Sequence, residues 1–310
     1  MRDATTPVRL MVWNLCRGGR GTAAGDTLDQ MTDLVAEVAP DILCCTETYG
    51  ATQRLVAGLG GAYRGYPLAA AGTDDNLSVV TRLPVTARLP YPEGRTVDSY
   101  NLGGVLVGLP DGGELAVFDT WLRYDVAIAD ALERTAAEIA AGRDRSRTDG
   151  ELALLELPQL ANIEEILTEH LPAAVPEETP VVLAGGLNTE SHLDADGADG
   201  PDDEPAELRR YRREVKPRWQ VTRRLEKAGF VDAYRSVWPD PRRWPGATFD
   251  PLNPAQRLPH RIDYVFAGGP GVSVTGARTY GTRLPMHGPG PFYSDHAALV
   301  VDLAVRSLSG

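Results

Sequence analysis

The chain repeatedly closes a short apolar run on a polar residue of the kind that carries chemistry. Arg9-Leu10-Met11-Val12-Trp13-Asn14 ends in Asn14, and Asp41-Ile42-Leu43-Cys44-Cys45-Thr46-Glu47 ends in Glu47. Pro180-Val181-Val182-Leu183-Ala184-Gly185-Gly186-Leu187-Asn188 ends in a glycine turn and Asn188. In the other direction, His260-Arg261-Ile262-Asp263-Tyr264 leads into Val265-Phe266, and Tyr293-Ser294-Asp295-His296 leads into Ala297-Ala298-Leu299-Val300-Val301. Short apolar runs bounded by turn residues read as buried strands. Polar groups at strand ends are what an active site on the rim of a sheet requires. Ser-Asp-His taken alone suits a turn with a surface histidine equally well.

Between these runs the periodicity changes. Leu28, Met31, Leu34, Val35 and Val38 recur at three- and four-residue spacing, which predicts a helix over 26–38 with Asp26 or Thr27 at its start. Further helices are expected over 51–59, 125–141, 151–171 and 216–228. Strands are expected over 8–14, 41–46, 77–81, 85–88, 103–109, 114–119, 180–184, 246–250, 261–267, 272–279 and 297–304. The polar run Arg143 to Gly150 and the acidic run holding Asp194, Asp196, Asp199, Asp202, Asp203 and Glu204 read as solvated loops. Mixed strands with helices in two groups fit two packed sheets with helices outside.

The five strand-end motifs, in this order, resemble the endonuclease/exonuclease/phosphatase (DNase I-like) superfamily, which includes nucleases, inositol polyphosphate 5-phosphatases and neutral sphingomyelinases. Asn76-Leu77-Ser78-Val79-Val80-Thr81-Arg82-Leu83-Pro84-Val85, Ala228-Gly229-Phe230-Val231-Asp232 and Pro245-Gly246-Ala247-Thr248-Phe249 add smaller likenesses. The resemblance implies an α/β four-layer α/β/β/α sandwich of two packed mixed sheets. It spans 1–310 as a single domain, with loop insertions near 142–150 and 194–215.

It also implies roles. Glu47, with Asn14 and Asp295, would hold Mg²⁺ or Mn²⁺, one or two ions, because hard cations prefer oxygen ligands. His296 would contact the phosphate, oriented by Asp263 on its other ring nitrogen. Asn188 and Asp295 would handle the phosphate or the attacking water. Asn14 and Asn188 would line the substrate, and Trp121 and Tyr100 join them as substrate-binding candidates from their own places near predicted strand ends. Two departures stand out. Gly185-Gly186-Leu187-Asn188 lacks the family's aspartate, and Thr120-Trp121-Leu122 has tryptophan where a histidine is common. His192, Asp194 or Glu190, close after Asn188, are candidates to supply the lost group.

Hydrophobic residues make up 43% of the chain, enough for a sizeable core. The formal net charge of −12 disfavours a polyanionic partner, since phosphate neutralisation by basic side chains supplies most nonspecific nucleic-acid affinity. The expected substrate is therefore a small or lipid-like phosphate ester, cleaved by a phosphatase or phosphodiesterase. A nuclease of the same fold is the first alternative. A repurposed or silent member that binds a ligand is the second. Three cysteines form no disulfide framework, and no 18-residue apolar stretch or leader-like start appears, so the cytoplasm is the default location.

Overall fold

The computed structural model describes residues 5–124, 127–195 and 205–306. Within them, strands β1 (Thr5–Asn14), β2 (Ile42–Thr46), β3 (Arg64–Pro67), β4 (Leu77–Thr81), β5 (Val85–Arg88), β6 (Leu102–Gly108), β7 (Glu114–Trp121), β8 (Val181–Gly186), β9 (Val231–Asp232), β10 (Asp263–Gly268), β11 (Val272–Tyr280) and β12 (Ala298–Arg306) form two six-stranded sheets. Their orders are β11-β12-β1-β2-β4-β3 and β5-β6-β7-β8-β10-β9. Each is mixed, with a central parallel pair, β1–β2 in one and β7–β8 in the other, flanked by antiparallel neighbours.

Strand alternation sorts the core. Val8, Leu10 and Val12 of β1 pack with Val117 of β7, Val182 and Ala184 of β8 and Val265 of β10 in a layer between the sheets. The intervening residues face outward under helices. Met11, Trp13, Leu43 and Cys45 meet helix Leu28–Val38, whose Leu28, Met31, Leu34, Val35 and Val38 are buried as their spacing requires. On the other side Leu183, Tyr264 and Phe266 meet Ile163 and Ile166, with Val221 and Leu225 of helix Val221–Lys227.

Several boundaries differ from expectation. The helix expected over 151–171 is interrupted. A Thr148–Glu151 capping box opens Asp149–Leu154 inside the expected polar loop, and a second segment, Leu157–Glu165, starts with Pro158 in its first turn. Between them the buried Glu156 carboxylate accepts from the Gln220 and Val221 amides and the Thr189 hydroxyl, tying three segments together. Within the expected 194–215 loop, Ala206–Glu214 is a helix. Of the acidic run, Asp196, Asp199, Asp202, Asp203 and Glu204 lie outside the described residues. The strand expected over 246–250 reduces to Phe249, which bridges His260 and His296. Strand β3, short and partly exposed at a sheet edge, carries too weak a pattern to be anticipated.

Two buried charge clusters brace the second sheet. Arg261 is 1% exposed. It donates to Asp194 (Nε to Oδ2, 2.8 Å), lies 2.9 Å from Asp232 and stacks on the Tyr264 ring at 4.6 Å. Arg235 reaches the same Asp194. Removing Arg261 takes a cation from the buried Asp232 and leaves Asp194 to Arg235, so Arg261→Met is expected to cost about 3 kcal/mol in denaturant unfolding; a cost under about 1 kcal/mol would contradict the network's role.

His260 sits between Glu190 (Nδ1, 2.6 Å) and Glu133 (Nε2, 3.3 Å). Burial alone would lower its pKa, but the two carboxylates outweigh burial and raise it to about 9. A raised folded-state pKa contributes stability that is complete below the unfolded value of about 6.5 and is lost as pH rises through about 9. Chemical denaturation between pH 6 and 10 should show this decline, shallower in His260→Gln; identical slopes would exclude the linkage.

Candidate active site

Register decides which side chains meet. Asn14 ends β1 beside Thr46 of β2, and Glu47 follows directly. Trp121, Gly186 and Asp263 stand abreast on β7, β8 and β10. Trp121 continues the alternation that sends Val117 between the sheets, as Gly186 continues Val182 and Ala184, and Asp263 precedes Val265. All therefore emerge at one open end of the inter-sheet layer. His296 joins them from the segment leading into β12. Its carbonyl accepts from Trp13 Nε1 (2.9 Å) and its amide donates to Ser294 Oγ (3.1 Å), which in turn donates to the Asn14 carbonyl (2.8 Å).

The polar groups form one connected array. Asn14 Nδ2 donates to Glu47 Oε1 (3.0 Å) and lies 3.4 Å from His296 Nε2. His296 Nδ1 donates to Asp263 Oδ2 at 2.7 Å. Thr248 Oγ1 fixes the start of β10 by accepting from the Ile262 and Asp263 amides, both at 3.1 Å. Glu47 Oε2 accepts from the Arg17 amide (3.1 Å), and Asn76 Oδ1 accepts the Glu47 amide (3.1 Å). Burial alone would depress His296, yet Asp263, with Asp295 and Glu47 beyond it, raises its pKa to about 9. Burial first, then Asp295 and Glu47, push the Cys16 thiol up to about 12, which disfavours the thiolate.

Backbone strain collects at this end. Among the described residues, seven non-glycine positions have positive φ: Cys16, Arg17, Glu47, Tyr49, Asn188, Asp250 and Ala39. Ala39 is a helix terminus. The other six belong to loops around the array, Asp250 through its amide bond to the Asp295 carbonyl. Left-handed non-glycine residues cost on the order of 1–3 kcal/mol each and persist where surrounding structure over-determines them.

Trp121 and Tyr100 line one wall. Their rings meet edge-on at 5.6 Å, Tyr124 lies 6.1 Å beyond Trp121, and the Tyr100 and Tyr49 hydroxyls are 2.9 Å apart. Asn188 is held at the mouth by a bond from its Nδ2 to the Leu122 carbonyl (2.6 Å).

The candidates to replace the missing aspartate lie elsewhere. His192 uses both ring nitrogens on the Val221–Lys227 helix, with Thr222 at 2.8 Å and Glu226 at 2.9 Å. Glu190 holds His260, and Asp194 holds Arg261 and Arg235. The role expected of these three is thus corrected to a structural one. Three contributors escaped the sequence reading. Asn76 hydrogen-bonds Glu47 from the start of β4, where a polar residue before an apolar run was the available signal. Phe249 packs edge-on to His296 at 5.2 Å. Asp119 is fully buried two residues below Trp121, with neither carboxyl oxygen hydrogen-bonded; burial holds its pKa well above the carboxylate range. An acid inside an apolar strand was its signal.

Among the described residues no group of three or more His, Cys, Asp or Glu gathers as a metal cage. The donor set is instead one or two carboxylates with amides, which fits a hard divalent ion retaining several waters. Glu47 meets this requirement: each oxygen accepts one amide hydrogen, which fixes the carboxylate and leaves lone pairs to spare.

Residues 11–296 match the model of the Endonuclease/Exonuclease/phosphatase family. An uncharacterized protein of Caenorhabditis elegans is 24% identical, with the alignment covering 95% of this chain and 90% of that one. An AP endonuclease from Archaeoglobus fulgidus superposes with a TM-score of 0.58 at 18% identity, covering 97% of this chain and 100% of its own. An endonuclease/exonuclease/phosphatase from Beutenbergia cavernae gives 0.58 at 19%, covering 97% and 72%. These two share the α/β sandwich of packed mixed sheets. The family match takes in Asn14, Glu47, Asn188, Asp263 and His296, and the chain belongs to the endonuclease/exonuclease/phosphatase family.

Proposed function

We propose that this chain is a divalent-metal-dependent phosphoesterase acting on a small or lipid-like phosphate ester. The observation that carries this is the convergence of Asn14 and Glu47 from one sheet with Asp263 and His296 from both, as two hydrogen-bonded pairs, Asn14–Glu47 and Asp263–His296, that stand side by side with Asn14 Nδ2 3.4 Å from His296 Nε2. Glu47, helped by Asn14 and Asp295, would hold Mg²⁺ or Mn²⁺, and the ion would neutralise phosphate charge. Asp263 fixes the His296 ring so that Nε2 faces the mouth, where it binds a phosphate oxygen. Asn188 and Asn14 add amide donors or acceptors beside it. Phosphoryl transfer mainly needs such positioning and charge neutralisation.

The aromatic wall of Tyr49, Tyr100, Trp121 and Tyr124 supports a compact organic substrate, as does the net charge of −12. A nuclease role would require a local basic groove against that field. Gly186 and Trp121 favour a second reading, in which the pocket binds a ligand without turnover.

Phosphate release across a panel of phosphorylated metabolites and phospholipid head-group esters separates these. Turnover that EDTA abolishes, that Mg²⁺ restores, and that Glu47→Gln lowers by about a hundredfold or more is expected. EDTA-insensitive turnover would contradict the metal assignment. A silent panel together with plasmid nicking would favour the nuclease.

A further inference from the structure

One stretch of this acidic chain is basic. From Val215 to Leu225 there are four cations, Lys216, Arg218, Arg223 and Arg224, and no acid, against a net charge of −12 for the whole. Arg224 pairs with Glu164. The side chains of Lys216, Arg218 and Arg223 hold no hydrogen bond or ion pair among the described residues. Val215, Pro217 and Trp219 are buried while Lys216 and Arg218 are exposed, an alternation that turns both cations to solvent on one side. Arg223 follows on helix Val221–Lys227, away from the buried Val221, Thr222 and Leu225.

An uncharged surface lies against this stretch. From Leu152 to Ile163 the one charged residue is Glu156, which is 1% exposed. Its carboxylate holds the Gln220 and Val221 amides, and Val215 and Trp219 pack with Leu152. Leu154 and Leu157, on either side of Glu156, are 60% and 52% exposed. Lone exposed leucines are ordinary; two of them bordered by unpaired cations fit an interface that is apolar and anionic at once. The patch also reaches the mouth of the site. Gln159 donates to the Arg123 carbonyl (2.8 Å) and the Asn188 carbonyl (3.4 Å). Arg123 is exposed, without a side-chain partner among the described residues, and Tyr124 beside it belongs to the aromatic wall.

We propose that Leu154, Leu157, Lys216, Arg218, Arg223 and Arg123 form a docking surface for an anionic phospholipid bilayer, which presents lipid phosphate esters to the aromatic mouth. The docking stands apart from the hydrolase reading; the supply of substrate from the docked bilayer rests on it. A nucleic acid would use the cations but gains nothing from aliphatic leucines, since bases stack on aromatic faces. A bilayer uses both, through headgroup charge and acyl-chain contact. The acidic body does not forbid this, because exposed charges more than about 8 Å from the lipid are largely screened at physiological salt.

Cosedimentation of the full chain with vesicles tests the proposal, comparing phosphatidylcholine alone with equal parts of phosphatidylcholine and phosphatidylglycerol. Binding to the anionic vesicles only is expected, falling as salt rises. Lys216→Gln with Arg218→Gln should weaken it about twenty-five-fold, each cation near the surface contributing about fivefold. Leu154→Ser with Leu157→Ser should weaken it about tenfold, and both variants should keep the unfolding midpoint because these side chains are exposed. Equal binding to the two vesicles, no binding, or unchanged binding in both variants overturns the proposal, as does capture of duplex DNA in place of vesicles. Where a phospholipid in the anionic vesicles is turned over, both variants should lower that turnover at limiting lipid and leave a water-soluble short-chain phosphate ester within about twofold. Docking without turnover of either ester supports the surface and sinks the hydrolase reading instead.

Discussion

The His296–Asp263 hydrogen bond is the contact on which the site depends. His296 enters from the segment before β12 in one sheet, and Asp263 opens β10 in the other, so a 2.7 Å bond closes the sandwich at its open end. Beneath it the inter-sheet layer is apolar apart from the buried Asp119, from Val12 and Val117 to Ala184 and Val265. The same alternation that fills that layer must, at its last position, present Asn14, Trp121, Gly186 and Asp263 to the mouth. The site is the terminal layer of the core, with polar residues where the layers below carry valine and alanine. Its geometry is inherited from strand register, which a slip of one residue would destroy.

That inheritance explains why so few residues suffice. Ser294, Thr248 and Asn76 each bond backbone or carboxylate at a strand end and lock one member of the array. The strained loops around them, Glu47 and Asn188 included, are held in place by strands they immediately follow. Charge is balanced locally despite the acidic whole. Asp263 supports a cationic His296, Arg261 and Arg235 neutralise Asp194 and Asp232, and burial raises the pKa of Asp119 below. In the proposed function, Glu47 and Asp295 would be the negative pair that a cation answers.

Much of this is legible in the sequence because it is written in short-range pattern. Apolar runs ending at Asn14, Glu47 and Asn188 mark strand ends, and the spacing of Leu28, Met31, Leu34, Val35 and Val38 marks a helix face. What fails is whatever depends on long-range company. His192 looks available beside Asn188, yet a turn sends it to Thr222 and Glu226. Glu190 and Asp194 look like spare carboxylates, yet each answers a buried cation distant in sequence. Gly186 and Trp121 read as two separate losses, because their adjacency exists only through the β7–β8 register.

A double-mutant cycle between Glu47 and His296, far apart in the chain, tests most directly whether the strand ends act as one site. With kcat/KM for phosphate release as the readout, Glu47→Gln, His296→Ala and the double variant are compared. Residues serving one transition state predict a double variant scarcely worse than the poorer single variant. Losses that simply multiply would mean that Glu47 and His296 serve separate purposes, contrary to the account given by the structure.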